Sequence, residues 1–182
     1  MNYIMAGMKH CGKSTLGKRL AEYLCCPFYD TDDLIRDKFN HANNCELTIR
    51  QIYSSHGQDF FKQQEMAVLR ELKEHILKDA PDNVVALGGG LPVNIDLILL
   101  LHRIGTVIYL KDNPDVLYLR TSRTGLAPFL DKKNPKESFL ELYKEREPYY
   151  ILHADIRLNL ENCSIDEAWE KVRAAVANHA KK

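Results

Sequence analysis

Lys13 and Ser14 end the run Gly7-Met8-Lys9-His10-Cys11-Gly12-Lys13-Ser14, a complete phosphate-binding loop of the form G-x-x-x-x-G-K-[ST]. Each part of the run has a physical role. Gly7 and Gly12 let the backbone turn tightly, with no Cβ in the way of an approaching phosphate. The loop's N–H groups then form an anion nest at a helix N-terminus. Lys13 is placed to reach the β- and γ-phosphates, and the Ser14 hydroxyl to sit on Mg²⁺. The loop as a whole (Gly7, Met8, Lys9, His10, Cys11, Gly12, Lys13, Ser14, with Thr15) is expected to bind ATP.

Two more groups of residues can do chemistry. Asp30-Thr31-Asp32 follows Phe28-Tyr29 at the end of a short apolar run. One carboxylate there can organise a Mg²⁺ shell, and the other can accept a proton from a substrate hydroxyl. The same residues suit a helix N-cap, with Thr31 or Asp32 capping the helix that holds Leu34 and Ile35; capping and catalysis are compatible. Gly88-Gly89-Gly90 follows Val84-Val85-Ala86-Leu87, and three glycines at a strand end allow a ligand close to the backbone.

These groups need a scaffold that brings strand ends together. Apolar runs at 3–6, 84–87 and 106–110 read as buried parallel strands, Phe28-Tyr29 as a short one, and 155–160 as an edge. Helical patterns fall at 13–24, 32–40, 48–55, 59–78, 95–102, 114–121, 136–147 and 165–179. Strands alternating with helices, with the phosphate loop after the first strand, imply an α/β fold: a mostly parallel sheet with helices on both faces. Ligands of such a sheet bind at the carboxyl ends of its strands. Residues 40–47 read as a polar loop. Residues 121–135, with a glycine, two prolines and basic residues, read as a mobile lid over the site.

With 182 residues the chain is expected to form a single domain, 1–182, with the lid inside it. Its 25 basic and 25 acidic residues cancel, which argues against a broad nucleic-acid footprint but leaves room for a local basic pocket. The five cysteines have no metal-ligand or CxxC spacing, so reduced thiols and a cytoplasmic location are expected. Cys11 sits where positive potential lowers a thiol pKa, although a small, tolerated loop residue is the simpler account. The N-terminal apolar run is too short for a signal peptide. The stretch Leu91–Leu101, interrupted by Pro92, Asn94 and Asp96, reads as a loop and then a buried helix rather than a membrane span.

The order of these pieces resembles the shikimate kinase family over nearly the whole chain. The resemblance rests on the phosphate loop, Phe28-Tyr29-Asp30-Thr31-Asp32-Asp33-Leu34-Ile35, Leu87-Gly88-Gly89-Gly90, Arg120-Thr121 and Lys144-Glu145-Arg146-Glu147-Pro148-Tyr149-Tyr150. It implies a three-layer nucleoside-monophosphate-kinase-like fold, with five parallel strands in the order 2-3-1-4-5. The implied activity is transfer of the ATP γ-phosphate to the 3-hydroxyl of shikimate, with Mg²⁺, in aromatic amino-acid biosynthesis. By the same resemblance Lys13, Asp32 and Arg120 are catalytic, and Ser14 and Asp30 serve the metal. Asp32 takes the substrate hydroxyl as base, Gly88, Gly89 and Gly90 contact the substrate, and Arg146 binds its carboxylate. Arg120 lies by the adenine and phosphates, and Asn159 opens the segment where the adenine loop falls. A monomer acting on a small molecule, without nucleic acid or membrane, is expected.

The chain departs from the family's pattern at two positions. An arginine usually follows the Gly-x-x-x-Phe segment; here Gly57-Gln58-Asp59-Phe60-Phe61 is followed by Lys62, while Glu65, which orients that arginine, is kept. A second arginine belongs before Pro128, where this chain has Ala127. Lysine is a point charge without arginine's planar fork, and a lost contact of this kind costs on the order of 2–5 kcal/mol unless replaced. Arg123, Lys132 and Lys133 are the nearby candidates for compensation. Three functions therefore stand: a shikimate kinase with an altered carboxylate clamp, a kinase of another small polyol or hydroxy acid, and a nucleotide-binding protein without turnover. Intact Lys13, Ser14, Asp30 and Asp32 argue against the third.

Overall fold

Tyr3, Ile4, Met5 and Ala6 are all buried, which only a strand covered on both faces permits. This strand, β1 (Tyr3–Ala6), is the centre of the sheet in the computed structural model, which describes residues 1–79, 82–90 and 95–179, the side chains of 76–79 and 95–99 excepted. It pairs in parallel with β3 (Val84–Ala86) on one side and β4 (Thr106–Lys111) on the other, Tyr3 lying opposite both Val84 and Thr106. Beyond them lie β2 (Phe28–Asp30), paired with β3, and β5 (Ile156–Asn159), paired with β4. The order is β2-β3-β1-β4-β5, as the family resemblance implies. The side chains of β5 alternate between half-buried and exposed, which marks an edge strand.

Helices cover the sheet. The first, α1 (Lys13–Leu24), buries Leu16, Leu20 and Ala21. The last, α7 (Ile165–His179), buries Trp169, Val172 and Val176 and meets α1 through an edge-on Tyr23–Trp169 contact at 5.7 Å. Between them come α2 (Thr31–Asn43), α3 (Ile49–Asp79), α4 (Ile95–Ile104), α5 (Pro114–Thr124) and α6 (Pro135–His153). The break expected between two helical patterns near 56–58 is a kink at Gly57, whose φ of 78° and ψ of −177° interrupt α3. Among the described residues no helix is long and apolar enough to cross a membrane. The loop read over 91–94, ahead of α4, lies outside the described residues.

Three local expectations are corrected. The cap of α2 is Asp30, not Thr31 or Asp32: β2 ends with Asp30 in an extended conformation, and its carboxylate accepts from the Asp32 N–H at 3.0 Å. The same helix runs past residue 40 to Asn43 and is stopped by Asn44 in the left-handed region, φ 48°. Residues 121–124, read as the start of the lid, are the last turn of α5. Thr121 is buried there with its hydroxyl on the Leu117 carbonyl at 2.8 Å, and the helix stops at Gly125, φ 99°. Of the segment read as a lid, only 125–134 lies between α5 and α6.

The start of β1 is tied to the α4–β4 junction. The Asn2 carbonyl accepts from the Thr106 N–H at 2.9 Å, and the Asn2 side chain donates to the Ile104 carbonyl at 2.8 Å. A Cβ added at Gly105 would overlap that Asn2 carbonyl, which its hydrogen bond holds in place. Gly105→Ala should therefore cost about 1–3 kcal/mol, the usual cost of overpacking, read as a lower urea midpoint with unchanged slope. An unchanged midpoint would mean that this junction is loose.

Candidate active site

Because all the strands are parallel, the segments after β1, β2 and β3 leave the sheet at the same edge. They open into a cleft of roughly 950 Å³ that is also walled by α3, α5, α6 and the lid. Lys9, His10, Gly12, Lys13, Ser14, Thr15, Asp30, Asp32, Lys62, Gly88, Gly89, Gly90, Arg120, Arg123 and Arg146 all line it. Six residues singled out from sequence do not: Gly7, Met8 and Cys11 lie in the loop behind the lining, and Lys132, Lys133 and Asn159 lie elsewhere. Lys132 and Lys133 are exposed outside the cleft. Asn159 also lies off the lining: its side chain accepts from the Glu161 N–H at 2.9 Å and so serves the turn after β5.

The phosphate loop has its shape before any ligand arrives. Gly7, His10 and Gly12 take positive φ values of 145°, 66° and 99°. At Gly7 the need for glycine is steric, since a Cβ would lie 2.7 Å from the Leu110 carbonyl of β4. The Lys13 ammonium is buried and donates to the Gly7 and Met8 carbonyls, each at 2.9 Å, so it is held over the loop. His10 is linked to Thr124 by a 2.9 Å contact between Nε2 and Oγ1, which joins the loop to the end of α5. Burial, and then the cations Lys9, Lys13 and Arg120, lower the pKa of His10 and favour its neutral form. Cys11 is buried and its thiol pKa is raised by that burial, against the lowering its position in the sequence suggests.

Both oxygens of the Asp30 carboxylate are engaged. Oδ1 caps α2, and Oδ2 accepts from the Ser14 hydroxyl at 2.5 Å. A hydroxyl and a carboxylate converging at the mouth of a phosphate nest fit a small, hard cation that takes its remaining ligands from phosphate and water. Among the described residues no cluster of three His, Cys, Asp or Glu forms a protein-only metal cage, and such a site needs none. Two residues on, Asp32 projects toward Gly88, where a Cβ would lie 2.7 Å from its Oδ1. Burial, and then the charge of Asp30, push the Asp32 carboxyl up to about 6, against the pull of Lys13 and Lys9. Gly88 is fixed in turn by its N–H donating to Thr31 Oγ1 at 2.8 Å.

Sequence spacing explains how α6 grips the glycine turn. Arg146 and Tyr150 are four residues apart, on one face of the helix. Arg146 donates to the Gly89 carbonyl at 3.0 Å, and Tyr150 donates to the same oxygen at 2.5 Å. Tyr150 is stacked on Tyr109 at 5.1 Å, so the hydroxyl is aimed from inside the core. Arg146 Nε is buried without a hydrogen-bond partner, and the guanidinium lies over the Phe129 ring at 5.7 Å. Beside it Glu65 is buried; burial, then Asp32, raise its carboxyl to about 8 against the pull of Arg146 and Lys62. Lys62 is exposed and forms no ion pair with Glu65.

Sequence reasoning missed five contributors. Asp112 is buried and holds Arg120 in a 2.7 Å ion pair, while Arg120 also donates to the His10 carbonyl at 3.0 Å. Tyr53 and Phe61 of α3 form an aromatic wall with a 5.3 Å ring contact, and Phe129 of the lid meets Tyr53 at 5.5 Å. Arg50 of α3 lines the same wall. No motif spacing marks these residues, because tertiary packing brings them in.

The shikimate kinase family model matches residues 9–177. A shikimate kinase of Bartonella henselae is 35% identical over 86% of this chain and 69% of its own length. One from Caldanaerobacter subterraneus subsp. tengcongensis is 32% identical over 94% of this chain and 93% of its own. The solved structure of an Acinetobacter baumannii shikimate kinase in complex with shikimate superposes with a TM-score of 0.84 at 28% identity, covering 100% of this chain and 95% of that one.

Two outcomes follow from the burial of these groups. Native Glu65 keeps a proton from its ordinary 4.5 up to about 8, whereas the unfolded carboxyl releases it above 4.5. Stability is therefore withdrawn as pH rises through that window. Glu65→Gln should gain stability relative to the parent between pH 5 and pH 8 in urea unfolding; a constant difference would place Glu65 in a solvated environment. A thiol-specific disulfide reagent should modify exposed Cys25 well before buried Cys11, which should react on unfolding. Fast labelling of Cys11 in the folded protein would contradict its burial.

Proposed function

The chain belongs to the shikimate kinase family, and from that membership and the cleft we infer that it transfers the γ-phosphate of ATP to the 3-hydroxyl of shikimate. The observation that carries this reading is one cleft holding a phosphate nest with Lys13 at one side, a raised carboxyl at Asp32 in the middle, and Arg146 with the glycine turn at the other.

In this reading the loop 7–15 cradles the phosphates and Lys13 leaves the Gly7 and Met8 carbonyls for the transferring group, whose growing charge it stabilises. Asp32 accepts the proton of the acceptor hydroxyl as the new O–P bond forms and the bond to the ADP leaving oxygen breaks. A carboxyl near 6 suits a general base, because it is ionised at neutral pH and still basic enough to take the proton. Ser14 and Asp30 would hold Mg²⁺, which when bound neutralises phosphate charge. Arg120, anchored by Asp112, steadies the loop and the nucleotide side. Arg146 and Lys62 receive the acceptor's carboxylate, with Gly88–Gly90 against its ring. Asn159, off the lining of this cleft, is given no role in the transfer step. The lid, 125–134, closes over both substrates and excludes water. We take the protein to act in the cytoplasm as a monomer on small anionic substrates.

Lys62 and Ala127 favour a second reading, a kinase of another polyol or hydroxy acid. Coupled ADP release with shikimate beside a panel of such acceptors separates the two. Shikimate should be turned over, with a raised KM; no ADP release at saturating shikimate while another acceptor reacts would overturn the first reading. Lys13→Ala should abolish turnover and weaken ATP binding. Asp32→Asn should keep ATP binding and cut kcat by at least ~10²-fold. A near-normal kcat would reduce Asp32 to a structural residue of α2.

A further inference from the structure

Resting on that reading, we propose that Arg50 of α3 binds the acceptor's carboxylate, supplying from across the cleft the cation that Ala127 does not supply from the lid.

The lid meets α3 at two places, one on each side of Ala127. At Gly125 the contact is with Arg50: a side chain on Gly125 would collide with the Arg50 guanidinium, at Nη1. At Phe129 the contact is with Tyr53, ring to ring at 5.5 Å. Arg50 and Tyr53 are three residues apart on α3, so they share a face, and both line the cleft. The Arg50 head therefore lies against the stretch of lid that Ala127 occupies. The wall continues to the acceptor side, because the ring of Phe129 also lies under Arg146, 5.7 Å from its guanidinium.

Arg50 is also unspent. Among the described residues its guanidinium has no carboxylate partner and no hydrogen bond, unlike Arg120, which Asp112 holds at 2.7 Å. Glu65, the buried carboxyl of this wall, is raised to about 8 and so carries little charge at neutral pH to neutralise its neighbours. The other candidates fit less well. Lys132 and Lys133 lie outside the cleft, and Arg123 lines it from the last turn of α5, ahead of the lid rather than opposite it in sequence. A planar fork lining the same cleft as Arg146 suits a carboxylate, which accepts two parallel bonds.

The test is steady-state kinetics of the whole enzyme with saturating ATP and Mg²⁺, using shikimate and its methyl ester as acceptors. Arg50→Ala should raise KM for shikimate about tenfold or more, leave kcat within about twofold, and leave KM for ATP unchanged. With the ester, which lacks the charge, the same substitution should change KM by less than about twofold. Arg50→Lys should recover part of the loss, and Arg50→Ala combined with Ala127→Arg most of it. The proposal is overturned if KM for shikimate does not move, if ester and acid are affected equally, or if the loss falls on kcat or on ATP. Absence of wild-type turnover with shikimate would sink the functional reading itself and this proposal with it, an outcome distinct from an active enzyme indifferent to Arg50.

Discussion

The Asp30 carboxylate is where backbone geometry and site chemistry are joined. Its Oδ1 starts α2 by capping the Asp32 N–H, and its Oδ2 holds the Ser14 hydroxyl of α1 at 2.5 Å. The two helices that carry the proposed nucleotide and acceptor residues are thus registered by one side chain at the end of an edge strand. The cap also fixes which way Asp32 faces, since Asp32 lies in the first turn it creates. Burial raises the Asp32 carboxyl most and this negative charge adds to it, so one group fixes the position of the proposed base and contributes to its basicity.

Charge is arranged asymmetrically around that centre. At the phosphate side, Lys9, Lys13 and Arg120 crowd together and add to burial in lowering the pKa of His10; Lys13 is restrained by loop carbonyls and Arg120 by Asp112. At the acceptor side the restraint is a single carbonyl, Gly89, which receives both Arg146 and Tyr150. Arg146 keeps a buried Nε without a partner, a cost of about 1–3 kcal/mol for a neutral group and more for a charged one. A carboxylate arriving there meets an incompletely satisfied cation, which is a physical reason for an anionic acceptor. Glu65, raised to about 8, can stand beside it without cancelling it at neutral pH.

Much of this is legible in the sequence. Buried strands announce themselves as unbroken apolar runs such as Tyr3–Ala6, and Gly57 splits two helical patterns where the kink lies. The phosphate loop and the Asp30-Thr31-Asp32 turn are local motifs, and local geometry decides what they do. Other features have no local signal. Asp112 gains its role from an arginine eight residues on along α5, and Arg50 from a lid that folds back over α3. Tyr150 belongs to a recognisable motif, but its grip on Gly89 depends on α6 crossing the glycine turn. Asn159 has the chain position of a nucleotide contact, yet its carboxamide is used by its own turn. The lid begins four residues later than its composition suggests, because Thr121–Thr124, polar in sequence, bond back into α5.

Whether Asp32 takes the proton, with a basicity set by burial and by Asp30, is tested most directly by the pH dependence of kcat/KM for shikimate in wild type and in Asp30→Asn. Wild type should lose activity below a pKa of about 6, because the base must be ionised to act. Removing the Asp30 charge should move that acid limb to lower pH, whatever it does to the plateau. An acid limb that stays in place in Asp30→Asn, or a profile flat down to the ordinary carboxylate range, would contradict the account.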